Sequence, residues 1–180
     1  MTDAQIIQSV SADQLQDLLQ QMGYRVTVSE QNGNRQLLSA SQGIGFALRM
    51  GNPGKEADQA LDYTLSCALR VQGAMPAGIE SAWNIGKRFA RLAVQGEFLV
   101  LEMDVVVAGG VSETYLRATA ELWDRLLQEF LLFLRQYAEQ ARTNAQPDGA
   151  ATPSSEHSTD ALQGSVDEHA SAEQAESAQV

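Results

Sequence analysis

Glu102 and Asp104 stand two residues apart in an apolar run, so on a strand their carboxylates share a face. Two acids so placed can divide the acid and base roles of hydrolysis. Arg91, on the preceding strand, would meet Glu102 diagonally across a hairpin, and Asp104 would fall near a strand end beside Lys87 or Arg88. Cross-strand ion pairing then accounts for both acids without chemistry. Cys67 alternates with Leu65 and Leu69, on the apolar face of its strand, where a buried free thiol is the ordinary outcome. A nucleophilic thiol needs a neighbouring base, and none is offered.

His157 and His169 are the only histidines and both come late in the chain, which leaves residues 1–142 without an imidazole for proton transfer or zinc ligation. Gly43-Ile44-Gly45 and Gly109-Gly110 lack the spacing and lysine of a phosphate loop, and tight turns explain them. Trp83 and Asn84 either line a ligand pocket or act structurally. The structural reading is preferred: the indole anchors a core, and the Asn amide bonds nearby backbone to set the turn from helix to strand. Arg88 and Arg91 either receive an acidic partner or pair locally. No catalytic residue, cofactor or metal is assigned, and no enzyme activity is expected.

The elements that position these residues follow from periodicity. Ser11 and Gln14 have the form of a capping box, and Leu15, Leu18, Leu19 and Met22 follow at helical spacing, predicting a helix over 12–22. Strands are predicted over 24–30, 35–41, 44–50 and 61–71, with Asn32-Gly33 and Asn52-Pro53-Gly54 as turns. In the last of these, Tyr63, Leu65, Cys67 and Leu69 oppose Asp62, Thr64 and Ser66, the pattern of a strand with one buried face. A short helix over 79–86 and strands over 87–94 and 97–107 come next, joined by a Gln95-Gly96 loop. Ala90, Leu92, Val94, Leu99, Leu101 and Met103 then share one face, with Phe89, Ala93, Phe98 and Val100 on the other.

Ser112 caps a final helix that runs to Arg142 without Pro or Gly. Leu116, Ala120, Trp123, Leu127, Phe130, Leu134 and Tyr137 form its stripe, and residues 130–134 are apolar all round. Such a helix needs covering on two sides.

Charge is distributed unevenly. The 180 residues carry 12 basic and 23 acidic side chains, a net charge of −11. Seven of the acids and none of the basic residues lie in residues 143–180, a stretch poor in large apolar residues. That composition predicts a disordered acidic tail appended to a domain over 1–142. The acidity argues against nucleic acid and against anionic membranes, and it permits a basic partner. The first ten residues lack a basic segment followed by an apolar run, and no stretch is apolar enough to span a bilayer, so a cytoplasmic protein is expected.

Trp83-Asn84, Arg88-Phe89, Arg91, the strand from Leu101 to Asp104, Gly109-Gly110-Val111, Trp123 and Phe130, in that order, resemble the YbjN-type family of bacterial sensory transduction regulators. The first half, with its capped helix ending Met22-Gly23-Tyr24, is similar to it as well. The likeness spans 6–141 and excludes the tail. It implies an α+β fold like that of class I type III secretion chaperones: a curved antiparallel sheet flanked by helices, in the order helix, strands, short helix, two strands, long helix. It also implies a homodimer, and it carries no catalytic motif.

The function expected is that of a non-enzymatic, homodimeric regulatory adaptor or chaperone-like binder of protein segments. Phe89, Phe98, Val100, Trp123, Phe130, Leu131, Phe133 and Leu134 are its candidate interaction residues, without a division between dimer, client and core. The alternative is a sensor domain with a small apolar ligand held between sheet and helix.

Overall fold

In the computed structural model, which describes residues 6–31 and 33–145, the capping box at Ser11 closes in both directions. The Ser11 hydroxyl accepts from the Gln14 amide and the Gln14 side chain accepts from the Ser11 amide, satisfying two donors that helix geometry leaves free. This starts α1 (Ala12–Gln21), which buries Ala12, Leu15, Leu18 and Leu19. Six strands follow: β1 (Thr27–Gln31), β2 (Asn34–Ser41), β3 (Ile44–Met50), β4 (Asp62–Arg70), β5 (Arg91–Gln95) and β6 (Phe98–Val106). Between β4 and β5 runs α2 (Ile79–Gly86), and α3 (Glu113–Ala145) closes the described chain.

The strands form one antiparallel sheet in the order β1-β2-β3-β4-β6-β5. The class is α+β, and the element order is the predicted one. Side chains of all three helices and of one sheet face make a single core around Leu37, Phe46, Leu65, Cys67, Leu101, Trp83, Trp123 and Phe130. None of the side chains on the opposite face belongs to that core. Helices therefore flank the sheet on one face.

Alternation explains which face is chosen. On β4 the buried residues are Tyr63, Leu65 and Cys67, while Asp62, Thr64 and Ser66 turn the other way. The α3 stripe is buried as its spacing predicts, at Leu116, Ala120, Trp123, Leu127 and Phe130. Gly110 (φ 101°) turns the chain towards α3 in a place where a Cβ would lie 2.5 Å from Ile6 Cγ2.

Several boundaries differ from expectation. β1 begins at Thr27, because Tyr24 turns its ring edge-on to Phe46 (centroids 6.1 Å apart) and does not extend the strand. Residues 87–90 lie outside β5, and Phe89 adopts φ 74°, a left-handed conformation that bulky side chains rarely tolerate. The last hairpin turns at Gly96-Glu97, one residue later than predicted, so Gln95 faces Phe98 and Arg91 stands directly opposite Glu102. α3 runs three residues past the predicted domain boundary. The rest of the predicted tail lies outside the described residues.

Candidate functional site: the open face of the sheet and its two edges

The helix-free face has an ionic centre. Glu102 on β6 accepts from Arg49 on β3 at 2.6 Å and from Arg91 on β5 at 2.9 Å, one partner for each carboxylate oxygen. Arg91 also donates to Asp104, whose other oxygen accepts from Thr64 Oγ1 at 2.6 Å. Charges on three strands and the Thr64 hydroxyl on a fourth are thus tied in one row. The expected pairing of Glu102 with Arg91 is present. The expected pairing of Asp104 with Lys87 or Arg88 is not: Lys87 donates to Glu129 on α3 at 2.8 Å, and Arg88 lies over the Phe89 ring. Residues 87–90 lie outside β5, so no strand register holds Lys87 or Arg88 beside Asp104.

This arrangement suits structure and not hydrolysis. A general acid must hold its proton near neutral pH. The Asp104 carboxyl is instead held below the usual carboxylate range, first by the hydrogen bond from Arg91 and then by that from Thr64. The same contact raises the Arg91 guanidinium. Because the folded value is the lower one, the stability that Asp104 contributes is complete above the unfolded carboxyl range. It is lost as pH falls below about 4 and through the folded value. Asp104→Asn should therefore lower the urea midpoint more at pH 7 than at pH 2.5. Urea titrations of both proteins at the two pH values check this.

Around the ionic centre the face mixes small and apolar residues with polar ones, Phe98 standing between Arg70 and Gln95 and Val106 beside Asp62. Val100 stands in register between Ala68 and Ala93 and is 6% exposed, whereas Phe98 and Val106 at the ends of β6 are 42% and 58% exposed. Leu38 and Ala47 continue this surface onto β2 and β3.

The structure divides the candidate interaction residues. Phe89, 65% exposed, and Phe98 are available on the surface. Trp123 and Phe130 are not surface residues: both are core, packed edge-on against Phe46 (6.1 Å) and Trp83 (5.3 Å) respectively. Leu131, Phe133 and Leu134 are half-buried, and Phe133 packs on Trp83 and Tyr137. Of the run 130–134, only Leu132 turns fully outward, so one chain covers more of it than its composition implies. Cys67 is buried, and burial pushes its thiol up to about 11, which removes it as a nucleophile. The layer between sheet and α3 is occupied by Trp123, Leu127 and Phe130.

The two edges of the sheet are unlike. At β5 the Asn84 amide donates to Leu92 O at 2.9 Å and accepts from Leu92 N at 2.8 Å. Trp83 Nε1 donates to Ala90 O at 3.0 Å. The side-chain amide stands where a neighbouring strand's peptide would be, which blunts that edge. Both side chains bond the backbone of residues 90 and 92.

At the other edge, where β1 falls short of β2, lies a cleft of about 810 Å³ that no sequence signal had marked. Its lining includes Tyr24, Arg25, Ser39, Ala40, Glu121 and Asp124. Burial, and next the Asp124 carboxylate, raise the Tyr24 phenol to about 12. Asp124 Oδ1 is buried without a hydrogen-bond partner among the described residues. Glu121 and Asp124 are three residues apart on α3, a spacing visible in sequence. Their meeting with residues 24–25 and 39–40 depends on packing alone.

A family model described as "YbjN: Putative bacterial sensory transduction regulator" matches residues 11–136, well over half of the chain. That description names a regulator and no enzyme. No curated protein matches the chain. No helix among the described residues is long and apolar enough to cross a membrane.

Proposed function

We propose that this chain, which belongs to the YbjN family, is a non-enzymatic cytoplasmic adaptor that works as a homodimer and holds segments of partner proteins, as a chaperone does. Residues 1–142 form the working domain in this reading, and 143–180 an acidic tail. The observation that carries it is the open sheet face, where Phe98 and Val106 stay exposed around charges that are already paired with one another. A surface of that kind is ready to be covered. Exposed aromatic and branched side chains gain from leaving water, at roughly 25 cal/mol per Å². Paired charges lose less on burial than lone ones, because each keeps its partner. An amphipathic segment or a second copy laid over β4, β5 and β6 would use both properties.

Light scattering on the purified chain tests the homodimer, and Phe98→Asp tests the surface. The variant replaces an exposed aromatic with a hydrated carboxylate in the proposed interface, so the mass should fall from dimer to monomer while circular dichroism and melting temperature hold. A wild-type chain that runs as a monomer at 100 µM (roughly a hundred times the Kd of a micromolar complex) defeats the homodimer. An unchanged dimer of Phe98→Asp moves the interface off this face.

A further inference from the structure

β1 stops short of β2, and the gap exposes backbone. Thr27 pairs with Leu38, but β2 continues to Ser41. The β2–β3 turn is Gln42-Gly43, with φ 51° and 83°, and Ser41 faces Ile44 across it. Two positive φ values in a two-residue loop make the flanking pair a hydrogen-bonded one. Ser41 and Ser39 therefore bond to β3, and Ala40 directs its N–H and C=O away from β3, to the side β1 would occupy if it were longer. The chain at residues 24–26 does not take these groups. Arg25 O accepts from Ser39 Oγ at 2.9 Å instead. Among the described residues neither backbone group of the exposed Ala40 has a hydrogen-bond partner.

Glu121 and Asp124 line the same cleft; the Tyr24 phenol lies against the Asp124 carboxylate, and Asp124 Oδ1 is buried without a hydrogen-bond partner among the described residues. Arg25 also lines the cleft, so its carboxylates outnumber its cations two to one. Bare strand edges take extended backbone, and a buried carboxylate oxygen without a partner takes a charged donor.

We infer that the cleft is a docking site for an extended protein segment carrying a lysine or arginine, whose backbone pairs with Ala40 and whose cation meets Asp124 and Glu121. An acidic segment would add to the carboxylates already there, and a neutral one would bring no charge to balance them. The net charge of −11 favours the approach of the same cation at long range. This goes beyond the open-face reading and stands whether or not that face is an interface.

The test is an NMR titration of the full chain with Ac-Thr-Lys-Thr-NH2, with its Glu analogue, with free lysine amide, and with the lysine peptide N-methylated along its backbone. The lysine peptide should shift the amides of Tyr24, Ala40 and Asp124 and bind about tenfold tighter than each of the other three, the worth of one charge-assisted hydrogen bond. Asp124→Asn and, separately, the exposed-site change Glu121→Gln should each weaken it severalfold at unchanged melting temperature. Equal binding of lysine and glutamate peptides overturns the charge assignment, and equal binding of free lysine amide overturns strand pairing. Shifts confined to Phe98, Val100 and Val106, or no binding of any probe, overturn the site itself.

Discussion

Trp83→Ala should destabilise the fold by about 3–5 kcal/mol, the range for deleting a buried aromatic. The Trp83 ring is fully buried and meets Phe130 and Phe133 edge-on, each at 5.3 Å. It is the peg that fixes α2 against α3, and its N–H also holds Ala90 O ahead of β5. Removing it leaves a cavity among aromatic rings that cannot easily collapse. Against a total stability of about 5–15 kcal/mol typical of a domain, that loss is large. Urea unfolding should show a lower midpoint at unchanged slope. Trp83→Phe separates the two contributions: it keeps most of the ring and leaves only Ala90 O unpaired, so its loss should be about 1–3 kcal/mol. A Trp83→Ala protein within 1 kcal/mol of wild type would mean that α2 is not anchored this way.

Asn84→Ala should cost about 2 kcal/mol, from two hydrogen bonds to Leu92 at roughly 1 kcal/mol each. The larger effect is on assembly. Without the Asn84 amide, Leu92 presents a bare N–H and C=O on an edge strand whose next outward residue, Val94, is apolar and partly exposed. Unprotected edges pair with one another, so this variant should form larger species on heating or concentration that wild type does not. Sedimentation velocity across a concentration series reads this directly. Asn84→Asp keeps the acceptor for Leu92 N but sets a carboxylate against Leu92 O, so it should cost at least as much stability while its charge resists edge-to-edge pairing. If Asn84→Ala remains as disperse as wild type, the amide is a local brace and not a guard of the edge.

The sequence carried the local rules well. β3 and α2 appear at the predicted boundaries, Ile44–Met50 and Ile79–Gly86, because alternation or helical spacing runs unbroken between turn residues. The Ser11–Gln14 box and the Ser112 cap, whose hydroxyl accepts from Tyr115 N at 3.1 Å, are written in three or four consecutive residues. The Trp83 indole and the Asn84 amide both bond backbone just ahead of and within β5.

Other features could not be read. A shift of one residue in the β5–β6 turn leaves every side chain on its predicted face while changing each one's neighbours, so alternation cannot detect it. That shift is what puts Arg91 between Glu102 and Asp104. The run 130–134 reads as apolar on every side, but exposure depends on how α2 and Tyr137 lie against it, and Phe133 proves half-covered by Trp83.

By itself the sequence determined the elements, their order, the inward side of each strand and the family. Those properties reside in spacings of two to four residues, where backbone geometry dictates which side chains stand together. Only the tertiary structure decided that the helices gather on one face, that the Asn84 amide bonds the outer edge of β5, and that Ala40 and Asp124 line one cleft. Each of those brings together residues from separate elements, through packing and strand register that no local pattern encodes.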